Sequence, residues 1–175
     1  MNIKNNQRSK DTEAKIEEVF MNLLSQKHIS KITVRELCES AGITRSSFYG
    51  HYEDVYDLKE KVEEKMTEEI VHIFQSEYDN HSSDFRVAII QTIRYIEENQ
   101  TFFLYFLQNS DLKNIFHIGH ISELLTPVYK KEDESKLVFF VGGLNALLLH
   151  WLQTGCRESP EQLLDSLPQD YVWDL

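Results

Sequence analysis

The chain has 175 residues, of which 41% are hydrophobic and 27% are charged, and its formal net charge is −11. These proportions are typical of an ordinary soluble globular protein, and the length allows one good core or two small cooperating domains. The two cysteines, Cys38 and Cys156, lie far apart in the sequence. This spacing argues against a disulfide-stabilised secreted domain and favours a reducing compartment.

The negative charge is distributed unevenly along the chain. Residues 1–52 contain eight Lys or Arg and six Asp or Glu, which gives +2, whereas the remaining residues carry −13. An asymmetry of this kind lets one end of a protein approach phosphates while the rest repels them. It favours contact with nucleic acid at the N-terminal end only, although an excess of +2 also fits an uneven scatter of surface charges.

The N-terminal residues are polar and lead into an amphipathic segment. Residues 1–10 contain Lys4, Arg8 and Lys10 but no apolar signal region, so they predict a flexible tail and a cytoplasmic protein. A minor-groove arm is the less favoured alternative for this tail. From about residue 11 to residue 25, apolar side chains at helical spacing predict a first helix that packs behind the next elements. These side chains are Ile16, Val19, Phe20, Leu23 and Leu24.

The segment 32–52 predicts two short helices joined by a tight turn. Thr33 can cap a helix that starts at about Val34, and Glu36 can reach back to the Thr33 amide to complete a capping box. Gly42 follows where the chain must leave this helix in a left-handed conformation, which glycine adopts at little cost. The segment therefore has the pattern of a helix-turn-helix.

The second helix of this motif has side chains that suit DNA. Thr44 can cap it, so it is expected to begin at Arg45, and in a helix-turn-helix such N-terminal residues face base edges. Arg45 can bond guanine with two hydrogen bonds, and Ser46 and Ser47 are short enough to let the helix approach the groove. The side chains better suited to phosphate contacts are Thr33, Thr44, Tyr49 and His51.

The order T-V-x-x-L-C-x-x-A-G-I-T-x-x-x-F-Y-x-H-Y-x-x-x-x-x-L, from Thr33 to Leu58, closely resembles the DNA-binding domain of TetR-type transcriptional regulators. The resemblance covers residues 11–62. It implies an all-α fold, with a helix-turn-helix domain over residues 11–54 and a helical ligand-binding and dimerisation domain over residues 55–175. That family usually has a lysine near the DNA backbone at the start of the next helix. This chain has Val55 there, which lowers the expected DNA affinity.

The pattern beyond residue 54 predicts a helical bundle. Residues 55–78 form one long helix by their apolar period, which makes this helix the expected mechanical link to the bundle, and a second helix is expected up to about residue 97. Residues 101–107 are unusually aromatic and can either line a ligand pocket or form plain core. The candidate pocket residues are Tyr95, Phe102, Phe103, Tyr105, Phe106 and Phe116.

Histidines follow this aromatic segment, but they do not form a convincing metal site. His117, His120 and Glu123 have helical spacing, yet Gly119 separates the histidines and a third strong ligand is missing. We therefore expect neither a metal nor a cofactor.

Residues 135–156 are the most apolar stretch of the chain. Asn145, His150 and Gln153 interrupt it, so it predicts a buried helix and not a membrane span. Ser159, Pro160 and Gln162 then have the order of a cap, a first-position proline and a box partner for a last helix.

TetR-type proteins dimerise through their last two long helices, and the resemblance extends the same expectation to this chain. Burial within the same subunit is the alternative for about half of the apolar residues in these helices. The expected interface residues are Leu144, Leu148, Trp151, Leu152, Leu163 and Leu167.

Together with these patterns, the resemblance implies a cytoplasmic homodimer that binds a palindromic operator in double-stranded DNA and responds to a small-molecule effector, most often as a repressor in this family. Val55 and the small positive excess motivate an alternative, a coactivator or adaptor of the same fold that acts through a partner protein. An enzyme is the weakest prediction. Ser46 and Ser47 lie near His51 in the sequence, but they lack an orienting acid and an oxyanion site.

Overall fold

A computed structural model describes residues 3–80, 85–109 and 134–167. These residues form α-helices and one short 3-10 helix, and they contain no β-strand, in agreement with the all-α prediction. The chain divides into two compact units, Met1–Met66 and Thr67–Leu175.

The first unit is built from short helices around an apolar core. Its elements are α1 (Ile3–Gln26), a 3-10 helix (Ile29–Lys31), α2 (Val34–Ala41), α3 (Arg45–Tyr49) and the first part of α4 (Val55–Asn80). Helix α2 packs against both α1 and α3. The side chains that are at most 1% exposed in this core are Ile16, Phe20, Leu37, Phe48 and Leu58.

Helix α1 begins at Ile3, so residues 3–10, where the sequence predicted a flexible tail, are helical. The segment contains neither glycine nor proline, and nothing in it stops the helix from extending towards the N-terminus. A hydrogen bond from Gln7 Nε2 to Asp11 Oδ1, at 2.8 Å, supports these first turns.

The two ends of α2 are capped by Thr33 and Gly42 as the sequence predicted, but Glu36 does not have its predicted partner. The Thr33 hydroxyl accepts from the Glu36 amide at 3.2 Å, as expected for the cap. The Glu36 carboxylate does not complete a capping box, because it accepts hydrogen bonds from Lys27 Nζ at 2.5 and 2.6 Å. Gly42 ends the helix with φ 64 and ψ 36, the predicted left-handed conformation.

Replacing Gly42 with alanine is expected to lower the free energy of unfolding by about 1–2 kcal/mol, because an L-residue is strained at positive φ. A new Cβ would find no heavy atom within 4 Å, so steric overlap should add nothing. Chemical denaturation measures the loss, and Gly42→Asn is the matched control, since asparagine tolerates this conformation better. Equal losses from both variants would contradict the conformational explanation.

The boundary between the two units falls within α4, at residues 66 and 67, and not at residues 54 and 55 where the sequence placed it. The first turns of α4 bury Val55, Leu58 and Val62, which are at most 6% exposed. Lys65 Nζ donates to Glu17 Oε2 of α1 at 2.6 Å. These contacts make the first part of α4 a component of the first unit.

The second unit contains the rest of α4 together with α5 (Phe85–Glu98), α6 (Gln100–Asn109), α7 (Glu134–Gln153) and α8 (Pro160–Asp165). Helix α5 packs against α6 and α8, and α6 packs against α7. Ion pairs join α5 to α8, from Arg86 to Asp165 at 2.7 Å and from Arg94 to Glu161.

The start of α8 follows the sequence prediction closely. The Ser159 hydroxyl accepts from the Gln162 amide, the Gln162 side chain accepts from the Ser159 amide, and Pro160 occupies the first helical position. Among the described helices, none is both long enough and apolar enough to cross a membrane.

Candidate nucleic-acid interface

At the N-terminal turn of α3, the side chains of Arg45 and Ser46 point outwards, whereas those of Thr44 and Ser47 are hydrogen-bonded in the helix cap. The Thr44 hydroxyl accepts from the Ser47 amide at 3.1 Å, and the Thr44 and Ser47 hydroxyl oxygens lie 2.9 Å apart. Arg45 and Ser46 are exposed, and their side chains have no hydrogen-bond partner within the described residues. Of the predicted base-reading residues, Arg45 and Ser46 are therefore the most available, and Ser47 helps to form the cap.

Phe48 anchors this helix to the protein. Its side chain is 0% exposed, and its ring contacts those of Tyr49 and Tyr52, with centroids 5.6 Å apart in each case. Tyr49 meets Phe48 edge to face and remains 57% exposed, which suits its predicted phosphate contact. His51 is half-buried and lies beside Tyr52. The aromatic run thus has one anchored ring and one exposed ring on the same short helix.

Tyr52 fixes the end of this segment against α1. Its hydroxyl donates to Glu17 Oε1 at 3.4 Å, and its side chain is 3% exposed. Burial, together with the nearby carboxylates of Glu17 and Glu13, holds the pKa of Tyr52 far above its usual value. The hydroxyl is therefore protonated at neutral pH and can act as a hydrogen-bond donor.

Lys61 of α4 holds the same segment from the other side. Its Nζ donates to the His51 carbonyl at 3.0 Å and to Asp57 Oδ2 at 3.0 Å, and it lies 5.4 Å from the centroid of the Tyr52 ring. A cation in this position gains from both the carboxylate and the face of the ring. The chain that follows α3 is thus held by α1 and α4 together.

The start of α4 is acidic and its first amides are already bonded. Asp54 Oδ1 accepts from the amides of Tyr56 and Asp57, at 2.7 and 2.9 Å, and Asp57 Oδ2 accepts from the Glu53 amide at 2.8 Å. The bond from the Glu53 amide and then that from Lys61 lower the pKa of Asp57, so its carboxylate is charged at neutral pH. Val55 is only 6% exposed. The position where related proteins have a lysine is thus an apolar core position in this chain.

Two exposed side chains near the motif were missed by the sequence analysis. Lys31 lies two residues before the Thr33 cap and is exposed, as is Thr33 itself. Tyr56, on the first turn of α4, is 54% exposed. The available signal was their position, since Lys31 lies two residues before the capping Thr33 and Tyr56 lies two residues after Asp54, which accepts from its amide. Periodicity alone does not distinguish them from other surface residues.

Four of the six candidate pocket residues form one aromatic cluster in the second unit. Phe102 contacts Phe103 and Phe106 with ring centroids 5.0 and 5.7 Å apart, and Tyr95 contacts Phe103 at 6.0 Å. Burial and, to a smaller extent, the carboxylate of Glu69 raise the pKa of Tyr95 to about 12.

The two remaining pocket candidates are not part of this cluster. Tyr105 is half-buried, and Phe116 lies outside the described residues. The rings of this cluster contact one another, and Phe102 and Phe103 are 3% and 5% exposed. Such buried rings are compatible with plain core and also with the wall of a ligand pocket.

The predicted dimer-interface residues lie mostly inside the subunit. Leu148, Trp151, Leu152 and Leu163 are at most 7% exposed within the single chain, because α7 and α8 bury them in the second unit. The Trp151 indole N–H donates to the Glu158 carbonyl at 2.9 Å. These four residues are buried within the single chain, as the alternative interpretation expects.

The exposed residues of α7 differ from the predicted dimer-interface residues. Leu144 and Leu167 are only half-buried and remain available as interface candidates. The exposed residues of α7 recur every three or four positions and therefore share one face of the helix. They are Phe139, Gly143, Ala146, His150 and Gln153.

The histidines considered as metal ligands, His117 and His120, lie outside the described residues together with Glu123. Within residues 3–80, 85–109 and 134–167, no group of three His, Cys, Asp or Glu side chains is arranged to hold a metal ion.

Comparison with known proteins relates both units to transcriptional regulators. Residues 83–169 match the TetR C-terminal family described as "Transcriptional regulator C-terminal region". A curated relative, the uncharacterized HTH-type transcriptional regulator YxbF of Bacillus subtilis (strain 168), is 25% identical over 175 residues. The match covers 93% of this chain but 44% of the relative, so the chain spans less than half of that protein's length.

Solved structures share the same fold. The fatty acid degradation regulator FadR from Bacillus halodurans superposes with a TM-score of 0.72 at 12% identity, over 94% of this chain and 96% of that chain. The dihydroxyacetone kinase operon activator DhaS superposes with a TM-score of 0.62 at 18% identity, over 88% of this chain and 90% of that chain. At such low identities the similarity shows the fold alone.

Proposed function

We propose that this chain is a transcriptional regulator of the TetR type, which the family match of residues 83–169 and the curated relative support. In this proposal it binds duplex DNA in a sequence-specific manner by inserting α3 into the major groove. The observation that supports this proposal is the N-terminal turn of α3. There, Arg45 and Ser46 are exposed and unbonded, while Phe48 anchors the same helix in the core. A helix that is fixed on one side and offers unpaired donors on the other can read base edges.

We propose that the chain acts as a homodimer on a palindromic operator. Two recognition helices reach successive faces of the major groove when a two-fold axis holds them about 34–36 Å apart. The surface available for such pairing in the second unit includes the exposed face of α7 and the half-buried Leu144 and Leu167. We place its action in the bacterial cytoplasm, the compartment that contains the chromosome.

We also propose that a small molecule controls DNA binding from the second unit, through the aromatic cluster of Tyr95, Phe102, Phe103 and Phe106. Helix α4 belongs to both units, so it is the proposed transmitter. Any effector that weakens DNA binding must itself bind more weakly to the DNA-bound protein, by the same factor. Repression is the proposed sign of regulation. DhaS is described as an operon activator, so the fold is also compatible with activation.

A second candidate function is that of a coactivator or adaptor which acts through a partner protein. The acidic start of α4 favours it, because Asp54 and Asp57 occupy the first turn and Val55 is buried where a phosphate-facing cation would be expected. In this case the recognition helix would not bind DNA without the partner.

The experiment that tests both candidates is a titration of the protein into fluorescent DNA from its own upstream region, against a scrambled duplex, at two salt concentrations. Tighter binding of the upstream DNA, with two chains per duplex and affinity falling as salt rises, supports the DNA-binding dimer. If the folded protein binds neither duplex, the DNA-binding proposal is wrong and the adaptor is favoured.

Replacing Arg45 with alanine is expected to weaken binding of the preferred duplex by about 1–3 kcal/mol per half-site, because a bidentate contact with guanine is lost. Binding of the scrambled duplex should change much less. Arg35→Ala is the matched control: Arg35 is also exposed, but it lies on α2 and is paired with Glu39 at 2.7 Å. Competition titrations measure both affinities. Equal losses on the two duplexes for Arg45→Ala would show that Arg45 does not read bases.

A further inference from the structure

Half of the Lys and Arg side chains among residues 7–66 of the first unit are already paired with carboxylates. The pairs are Lys27–Glu36, Arg35–Glu39, Lys59–Glu63, Lys61–Asp57 and Lys65–Glu17, with N–O distances of 2.5–3.0 Å. A paired lysine can contact a phosphate only by sharing or losing its carboxylate. Among residues 7–66, only half of the cations are therefore unpaired and available for DNA.

Among residues 7–66, the cations without an ion pair are Arg8, Lys10 and Lys15 on α1, Lys31 on the 3-10 helix, and Arg45 on α3. Only Lys31 and Arg45 adjoin the helix-turn-helix. Arg45 lies in the turn that faces base edges, so Lys31 is the unpaired cation next to the motif that remains for the DNA backbone.

The start of α4 cannot supply this contact in the present chain. Its first amides, those of Tyr56 and Asp57, donate to the Asp54 carboxylate, and Val55 is buried. The Asp57 carboxylate accepts from the Glu53 amide, so the two carboxylates at this helix start would repel a phosphate. The nearby cation, Lys61, is held by Asp57 and by the His51 carbonyl.

Lys31 is mounted on a rigid turn. Its amide donates to the His28 carbonyl at 2.9 Å, and the Ile32 amide donates to the Ile29 carbonyl at 2.9 Å. Ile29 and Ile32 are each 6% exposed, so buried side chains fix the backbone on both sides of the exposed Lys31. The backbone at Lys31 is thus fixed, and only the lysine side chain can change its conformation.

The turn also has a suitable position. In a helix-turn-helix the first helix crosses the DNA backbone while the second enters the groove. Lys31 lies three residues before the start of α2, the first helix of this motif, and two residues before the exposed Thr33. The Thr33 oxygen accepts from the Glu36 amide, so its hydroxyl proton is available to a neighbouring acceptor.

We infer that Lys31 contacts a DNA phosphate and is the main backbone-binding cation of the helix-turn-helix, in place of a cation at the start of α4. This inference rests on the proposed DNA-binding function. Because the contact is to the backbone, it positions α3 in the groove without reading the base sequence.

The test is the salt dependence of DNA binding by Lys31→Gln. Each phosphate contact adds about 0.9 to the slope of log affinity against log salt, so a dimer that loses two contacts should lose about 2. Between 50 and 200 mM salt, the gap between the original protein and the variant should then shrink on the order of tenfold. The preference for upstream over scrambled DNA should stay the same, and Lys31→Arg should restore the slope.

The matched control is Lys15→Gln, which removes the same charge from another exposed and unpaired lysine, located on α1. Its slope should stay close to that of the original protein. If Lys31→Gln leaves the slope unchanged, or if Lys15→Gln lowers it equally, the inference about Lys31 is wrong although DNA binding stands. If the original protein binds neither duplex, the proposed function and this inference fall together. Thermal unfolding of each variant shows that the chain is folded in every titration.

Discussion

Replacing Phe48 with alanine is expected to lower the free energy of unfolding of the first unit by about 3–5 kcal/mol, which is the usual cost of removing a fully buried phenylalanine. The side chain is 0% exposed, and its ring contacts those of Tyr49 and Tyr52. Small domains are stable by about 5–15 kcal/mol, so this loss removes much of the total. DNA binding should be lost as well, because α3 has no other fully buried anchor.

Chemical denaturation followed by circular dichroism measures this loss of stability, and the upstream-DNA titration measures the loss of binding. Tyr49→Ala is the matched control, since Tyr49 is the next residue on the same helix but is 57% exposed. It should weaken binding to all duplexes with little change in stability. A Phe48→Ala protein that unfolds at the original denaturant concentration would show that α3 is held by other contacts.

Replacing Trp151 with alanine is expected to cost the second unit about 3–5 kcal/mol, because a side chain that is 1% exposed leaves a large cavity. The hydrogen bond from its indole N–H to the Glu158 carbonyl is lost at the same time. This bond spans the turn between α7 and α8, so the position of α8 should also become less fixed. Denaturant midpoints measured through the second unit's unfolding report the change.

Trp151→Phe separates the two contributions to this loss. Phenylalanine fills most of the space but cannot donate to Glu158, so its cost should be smaller than that of alanine by several-fold. If alanine and phenylalanine cost the same, the hydrogen bond and not the burial would be the main contribution of Trp151. If Trp151→Ala changes association between chains without changing stability, the sequence-based assignment of Trp151 to a dimer interface would be correct after all.

The helix-turn-helix could be predicted from the sequence almost to the residue. Helix α2 begins at Val34 and α3 begins at Arg45, as the caps at Thr33 and Thr44 indicate, and Gly42 has the expected left-handed conformation. Caps and turns depend on hydrogen bonds between residues two to four positions apart, so the local sequence contains all of their partners. The same reason explains why the box at Ser159 and Gln162 was correct.

Predictions that depended on distant partners were less successful. Glu36 has the spacing of a capping-box residue, but it bonds Lys27, nine residues away, because that lysine brings a full charge to the carboxylate. Leu148, Trp151, Leu152 and Leu163 have the apolar character of an interface, but they are buried in their own subunit. An apolar residue looks the same in a sequence whether its partner is in the same chain or in another.

The sequence by itself determined the helical class, the position of the helix-turn-helix and the residues on the N-terminal turn of α3, because periodicity, caps and a left-handed glycine are local properties. The tertiary structure decided that Lys27 and Lys65 are not free, since they meet Glu36 and Glu17 through the packing of α1, α2 and α4. It also decided that Val55 is a core residue and that Lys31 remains exposed and unpaired beside the motif. A lysine or arginine is available for DNA only if no carboxylate already binds it. For Lys27 and Lys65 that depends on carboxylates from other elements, whose approach only the tertiary structure shows.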